Sequence, residues 1–179
     1  MVKIELLKKE GKIRRIEETE LDRYIEFFTE SYKDNLNHSE ANTETYPRWS
    51  IISGYYAMHD ISKLLIAKIY RLKIDREVHA TTIKVLRELL KDKEILKLIE
   101  EGYEEFQSLA NELSDAKKER VKVQYYTGSK FIKEKYKKRA SEFYTDIVKV
   151  YIEKIKRLLE PKKIQEEAKE EIPEEKNDN

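Results

Sequence analysis

The fold class is decided by residues 49–72, WSIISGYYAMHDISKLLIAKIYRL. Apolar residues recur there every three to four positions and cover a broad arc, which is typical of a central helix with neighbours on several sides. Pro47 precedes the stretch and suits a first helical turn, because its missing N–H needs no partner there. Asp60, Lys63 and Lys68 argue against a membrane span. The arc consists of Ile51, Ile52, Tyr55, Ala57, Met58, Ile61, Leu64, Leu65 and Ile69.

Helical periodicity continues along most of the chain, and only four glycines and three prolines are available for turns. Further helices are expected at about 16–37, from about 79, at about 93–118 and at 130–159. Residues 37–45 are predicted to form a loop. We therefore predict an all-α fold, an antiparallel bundle of four to five helices over residues 1–160. Residues 161–179 are predicted to form a charged, disordered tail.

Two apolar stripes give finer predictions. The stripe of the 93–118 helix, continued by four residues, places Arg120 on the same inward-facing line. In the last helix, the residues expected to face the core are Phe143, Ile147, Val150, Tyr151, Ile155 and Leu158.

Composition excludes several classes of protein. The 179 residues suit one domain, and 37 basic against 36 acidic residues exclude a globally basic nucleic-acid binder. Because cysteine is absent, disulfide scaffolds, cysteine zinc sites and thiol catalysis are excluded. His38, His59 and His79 are too far apart in sequence to form a tight ligand pair, so we expect no metal and no cofactor.

Composition also bears on location and source. No apolar run is long enough to span a bilayer, and the first residues do not resemble a signal peptide, so a soluble cytoplasmic protein is expected. Abundant lysine, glutamate, isoleucine and tyrosine with three glutamines are typical of hyperthermophile proteins. An AT-rich genome would give a similar bias.

Charge is unevenly distributed along the chain. Residues 17–44 hold nine acidic and two basic residues, whereas residues 117–139 hold ten basic and two acidic ones. Cations bind phosphates and aromatic rings stack on unpaired bases, so residues 117–139 are predicted to bind nucleic acid. The alternative is a solvated helix face. The predicted binding residues are Arg120, Lys122, Tyr125, Tyr126, Lys130, Lys133 and Lys137.

Each singled-out residue also has a structural interpretation. Arg120 could pair with a buried carboxylate, and His79 could be a helix-starting residue at the core edge rather than a catalyst. His59 is expected to be a hydrogen-bonded core histidine. Asp60 and Lys63 are spaced for an i, i+3 ion pair. Trp49, Tyr55 and Tyr56 are expected to lie in the core. The four glutamates of the 93–118 helix are expected on the surface, opposite its apolar stripe, rather than in a di-iron site: Glu100, Glu101, Glu104 and Glu105.

Three blocks of sequence resemble the HEPN family (higher eukaryotes and prokaryotes nucleotide-binding). Residues 53–65, SGYYAMHDISKLL, resemble the second helix of these domains, and residues 77–83, EVHATTI, resemble their short helix that begins at a histidine. Residues 120–125, RVKVQY, followed by ASEF at 140–143, resemble the arginine motif and final helix. The blocks occur in the order of the family and span most of the chain.

The resemblance implies a helical bundle that forms a homodimer through its long helices. It implies binding of RNA or a nucleotide in the cytosol, often beside a nucleotidyltransferase in toxin–antitoxin or defence systems. Many members are metal-independent ribonucleases in which four to six residues separate the arginine from a histidine. In those, arginine stabilises the cleaved phosphate and histidine moves protons near neutral pH.

This sequence departs from that histidine pattern. Tyr125, Tyr126 and Thr127 occupy the positions where the family histidine would stand, and no histidine follows. It is closer to a subgroup with arginine, two variable residues, alanine, aspartate and tyrosine, with Val123 and Gln124 in place of alanine and aspartate. The first hypothesis is therefore an RNA- or nucleotide-binding protein. The alternatives are a metal-independent endoribonuclease, with candidate catalytic residues Arg120, Tyr125 and His79, and a protein-interaction adaptor.

Overall fold

The computed structural model describes the backbone of residues 4–118 and 130–160, and the side chains within these ranges except those of 113–118 and 130–133. The described chain is mostly helical, which confirms the all-α class. Its elements, in chain order, are α1 (Ile4–Lys9), β1 (Ile13–Arg15), α2 (Glu18–Ala41), α3 (Pro47–Tyr70), β2 (Leu72–Ile74), α4 (Val78–Leu89), α5 (Lys93–Lys118), α6 (Lys130–Glu142), a π-helical segment (Phe143–Val148) and α7 (Lys149–Leu159).

Helix α3 lies at the centre and contacts α2, α4, α5, α6, the π-helical segment and α7. It begins at Pro47, as predicted, and ends where Arg71 adopts a left-handed conformation, φ 55°. The expected arc is buried except near the ends of the helix. Trp49 is 60% exposed and Ile69 is 49% exposed, so the expectation that both lie in the core was wrong. The first and last turns of α3 extend beyond the helices that enclose its middle, so side chains on those turns are exposed.

A two-stranded sheet, which the sequence analysis did not predict, closes one end of the bundle. Strands β1 and β2 pair antiparallel, with Ile13 opposite Ile74 and Arg15 opposite Leu72. Each strand has three residues, too few to show the two-residue alternation by which strands are recognised. Through this pairing, the N-terminal segment that contains β1 is held against β2.

Helix α2 continues to Ala41, so the loop predicted from residue 37 begins too early. Ser39 and Ser50 explain the extension. The Ser39 hydroxyl donates to the Ser50 carbonyl oxygen over 2.8 Å, and the Ser50 hydroxyl donates to the Ser39 carbonyl oxygen over 2.7 Å. These reciprocal bonds pair the buried polar groups of Ser39 and Ser50, and they require α2 to remain helical through Ser39.

The last helix contains a π-helical segment that changes which residues face the core. Val150 and Leu158 were expected to face inward, but they are 36% and 40% exposed, whereas Val148 and Ile152 are buried. A π-turn holds one residue more than an α-turn and so rotates every later side chain relative to a continuous α-helix. The inward positions predicted for Phe143, Tyr151 and Ile155 are confirmed.

Membrane insertion was also tested against the structure. In the part of the chain described, no helix combines the length and apolarity needed to cross a bilayer.

Gly54 marks the closest approach between α3 and its neighbours. A Cβ atom built there would lie 2.9 Å from Ser39 Oγ, 3.0 Å from Val148 Cγ2 and 3.1 Å from Phe143 Cε1. Two of these neighbours belong to the π-helical segment. Glycine is therefore required at this position by packing, even though it weakens a helix interior.

We predict that Gly54→Ala lowers the free energy of unfolding by about 1–2 kcal/mol, because overpacking outweighs the gain in helix propensity. Gly102→Ala is the matched control. Its Cβ would meet only the flexible end of Met58, with Cε at 2.9 Å, so its stability should stay close to that of the parent. Urea unfolding of both variants measures the difference. Equal stability of the two variants would contradict the packing argument.

Candidate functional site

A hydrogen bond joins α3 to the first turn of α4. The Tyr55 hydroxyl lies 2.8 Å from His79 Nδ1. Burial raises the pKa of Tyr55, so its phenol keeps its proton and shares a hydrogen bond with the imidazole. Glu77, in a left-handed conformation with φ 48°, turns the chain into α4 just before this residue.

His59 lies one turn after Tyr55 on α3 and is buried, as expected of a core histidine. Its Nε2 lies 3.2 Å from Thr82 Oγ1 and 3.4 Å from the Val78 carbonyl oxygen. The ring centroids of His59 and His79 are 4.7 Å apart. Two imidazoles that are twenty residues apart in sequence are thus neighbours in the fold.

Asp60 does not form the expected ion pair with Lys63. Its Oδ2 accepts hydrogen bonds from Ser31 Oγ over 2.7 Å and from Asn35 Nδ2 over 3.0 Å. Its Oδ1 lies 3.7 Å from His59 Nδ1. The carboxylate is therefore engaged with α2, because α3 presents it to that helix.

Lys63 lies with its ammonium 4.4 Å from the centre of the Phe28 ring. Burial lowers the pKa of Lys63. Burial likewise lowers the pKa of His79, and the positive fields of His59 and Lys63 lower it further, against the opposing field of Asp60. We name Lys63, His59 and His79 the nitrogen cluster. An anion beside this cluster would be attracted by the Lys63 ammonium and repelled by the Asp60 carboxylate.

A cleft of about 250 Å³ adjoins this cluster between α4 and α5. Tyr103 lines it and lies nearly parallel to the His79 ring, at 6.2 Å and 12°. Lys84 and Arg87 line the same cleft, and Arg87 pairs with Glu100 over 2.8 Å. Glu100 and Glu104 line the cleft as well, so its wall carries an aromatic ring and charges of both signs.

The acidic run at residues 100–105 does not lie wholly on the surface. Glu100 pairs with Arg87, but Glu105 is partly buried and bonded to Arg139 of α6, so its expected place opposite the stripe was wrong. The turn of α5 that carries Glu105 packs against α6. Among the described side chains, no group of three or more histidine, aspartate or glutamate residues could hold a metal ion.

Most of the predicted nucleic-acid-binding residues lie outside the residues that the structure describes. Residues 119–129 are not described, which includes Arg120, Lys122, Tyr125 and Tyr126, and the side chains of Lys130 and Lys133 are not described either. The predictions for these residues remain untested.

Acidic partners partly neutralise the described end of the basic segment. Lys137 Nζ lies 3.2 Å from carboxylate oxygens of both Glu44 and Glu134. Arg139 binds Glu105 and, over 2.7 Å, Glu112. These two cations would have to leave carboxylates in order to bind a phosphate.

Tyr55 and Lys63 were not predicted from the sequence as site residues. The signal was their spacing, since Tyr55, His59 and Lys63 recur every four residues and so share one side of α3. That spacing also fits a core stripe, and nothing local places the first turn of α4 opposite it.

Comparison with known proteins does not assign a family. Searches against protein-family models, curated proteins and solved structures find no match to this chain.

We predict that acidification destabilises the protein through His79. Its folded pKa lies below the 6.5 of an unfolded histidine, so the unfolded chain binds more protons, and stability falls as pH drops from 6.5 through the folded pKa. His79→Gln should reduce the loss of melting temperature between pH 7.5 and 5.5. His38→Gln, on an exposed histidine of α2, is the control. An identical loss in both variants would contradict the role of His79.

Proposed function

We propose that this chain is a HEPN-like helical protein that binds RNA or a nucleotide through phosphate groups. The observation that carries the proposal is the hydrogen bond between Tyr55 and His79. It brings together the two blocks, 53–65 and 77–83, whose order resembles that of the family. The contact is polar as well as close, which is what a shared site between the two blocks requires.

The nitrogen cluster supports phosphate as the ligand chemistry. Lys63 and His79 are partly buried, and Asp60, the acid on the same helix, is already bonded to Ser31 and Asn35. A phosphate oxygen would accept from the Lys63 ammonium, and hydrogen bonds to ionised groups are the strongest of the common types.

A homodimer is part of the same proposal. The resemblance implies a composite cleft in which Arg120 of one copy meets the second motif, at His79, of the other copy. A nucleotidyltransferase partner is part of the same proposal.

A metal-independent ribonuclease is the second candidate function, and the state of His79 favours it. A lowered pKa keeps the imidazole neutral near pH 7, and Tyr55 fixes its orientation. A neutral, oriented imidazole can take a proton from a 2′-hydroxyl. Arg120 would stabilise the charge that develops on the phosphate.

We predict that the full-length protein binds a fluorescein-labelled single-stranded RNA, with affinity that falls steeply as salt rises. Arg120→Ala should weaken binding by about 1.5–3 kcal/mol, which is the range for a hydrogen bond to a charged group. His79→Gln should also weaken it, whereas Lys133→Ala and Lys137→Ala should cost less and flatten the salt slope. Anisotropy titrations measure each effect, with Arg157→Ala, an exposed cation of α7, as the control.

The same RNA, examined for cleavage without metal, separates the two functions. Intact RNA supports binding alone. Cleavage that is lost in Arg120→Ala and in either His79→Gln or Tyr125→Phe supports the ribonuclease. If no RNA binds at low salt, both fail, and the protein-interaction adaptor becomes the better explanation.

A further inference from the structure

An exposed aromatic surface lies on the first half of α3. Trp49, Ile52 and Tyr56 are spaced at i, i+3 and i+7, so they share one side of the helix. Trp49 is 60% exposed, and the other two are partly exposed. We name these three residues the α3 aromatic face.

This face leads into the nitrogen cluster. The Tyr56 ring lies 5.9 Å from the His79 ring and 5.8 Å from the Phe106 ring, measured between centroids. Lys63 follows Tyr56 by seven residues and therefore lies on the same side of α3. A ligand held by the cluster would extend over Tyr56 toward Trp49.

Two cations flank the face along α3. Arg48 lies with its guanidinium 4.4 Å from the centre of the Tyr136 ring, and Lys63 lies over Phe28. Among the described side chains, neither cation has a carboxylate within ion-pair distance. Residues 48 to 63 span about 22 Å of helix, the rise of about six stacked nucleotides.

We infer that the α3 aromatic face is a base-stacking surface and that the ligand of the proposed function, on which this inference rests, is single-stranded RNA. Unpaired bases can stack on aromatic rings while their phosphates meet cations, whereas the bases of a duplex are already stacked. An apolar protein partner fits less well, because it would bury the charges of Arg48 and Lys63 without compensation.

Trp49 is the single tryptophan of the chain, so its fluorescence reports directly on this face. A 12-nucleotide single-stranded RNA is titrated into the full-length protein at low salt. Quenching should saturate at the same RNA concentration as the anisotropy of the labelled RNA. The duplex of the same sequence, and inorganic polyphosphate of similar charge, should leave the fluorescence unchanged.

Substitutions test the contribution to affinity. Trp49→Ala should weaken binding of the single-stranded RNA about 5- to 100-fold, which corresponds to the loss of one base stack. Trp49→Phe retains an aromatic ring and should bind within a few-fold of the parent. Leu158→Ala removes a 40% exposed apolar side chain from α7 and should leave affinity unchanged. Both substituted positions are exposed, so the melting temperatures of the three variants should agree.

The outcomes distinguish this inference from the proposed function. RNA binding without quenching of Trp49, or equal quenching by the duplex, overturns the stacking surface and leaves phosphate binding intact. Absence of any RNA binding overturns both. A fluorescence change that depends on protein concentration alone, without RNA, assigns the face to contact between copies of the chain and overturns the inference.

Discussion

The structure depends on enclosing α3, a helix that carries polar side chains on a buried surface. Each buried polar group must find a partner, and among the described residues every buried side-chain nitrogen or oxygen has one. The partners come from different elements: Ser50 bonds to Ser39 of α2, and Ser62 lies 2.6 Å from the Tyr151 hydroxyl of α7. Hydrogen bonding therefore determines which face of α3 each neighbour covers.

The same requirement produces the candidate site. Asp60 is the acidic residue nearest to Lys63 on α3, but α2 engages its carboxylate through Ser31 and Asn35. Lys63 is left over the Phe28 ring with a pKa lowered by burial, and its field reaches His79. The Asp60 carboxylate keeps its charge while it accepts from these neutral groups, and its field opposes the lowering of both pKa values.

Sequence periodicity was sufficient to predict a helix whose buried apolar residues form a single stripe along one face. It predicted the bounds of α5 at Lys93–Lys118 and the start of α3 at Pro47. It failed to predict the small sheet, because the pairing of Ile13 with Ile74 is a contact between residues distant in sequence. It also failed after the π-helical segment Phe143–Val148, because one extra residue in a turn rotates the later side chains around the helix. The site was predictable only in part for the same reason: His79 was identified as a candidate, but its distance from Tyr55 depends on how α4 packs on α3.

The position of Lys63 separates the demands of folding from those of binding. A partly buried ammonium whose pKa is lowered costs folding free energy, because the charged form is better solvated in the unfolded chain. A methionine of similar length would pack against Phe28 without that cost. The fold therefore has no need of a charge at this position. An anion-binding surface does need it, because the electrostatic attraction between an ammonium and a phosphate strengthens as water is excluded from between them.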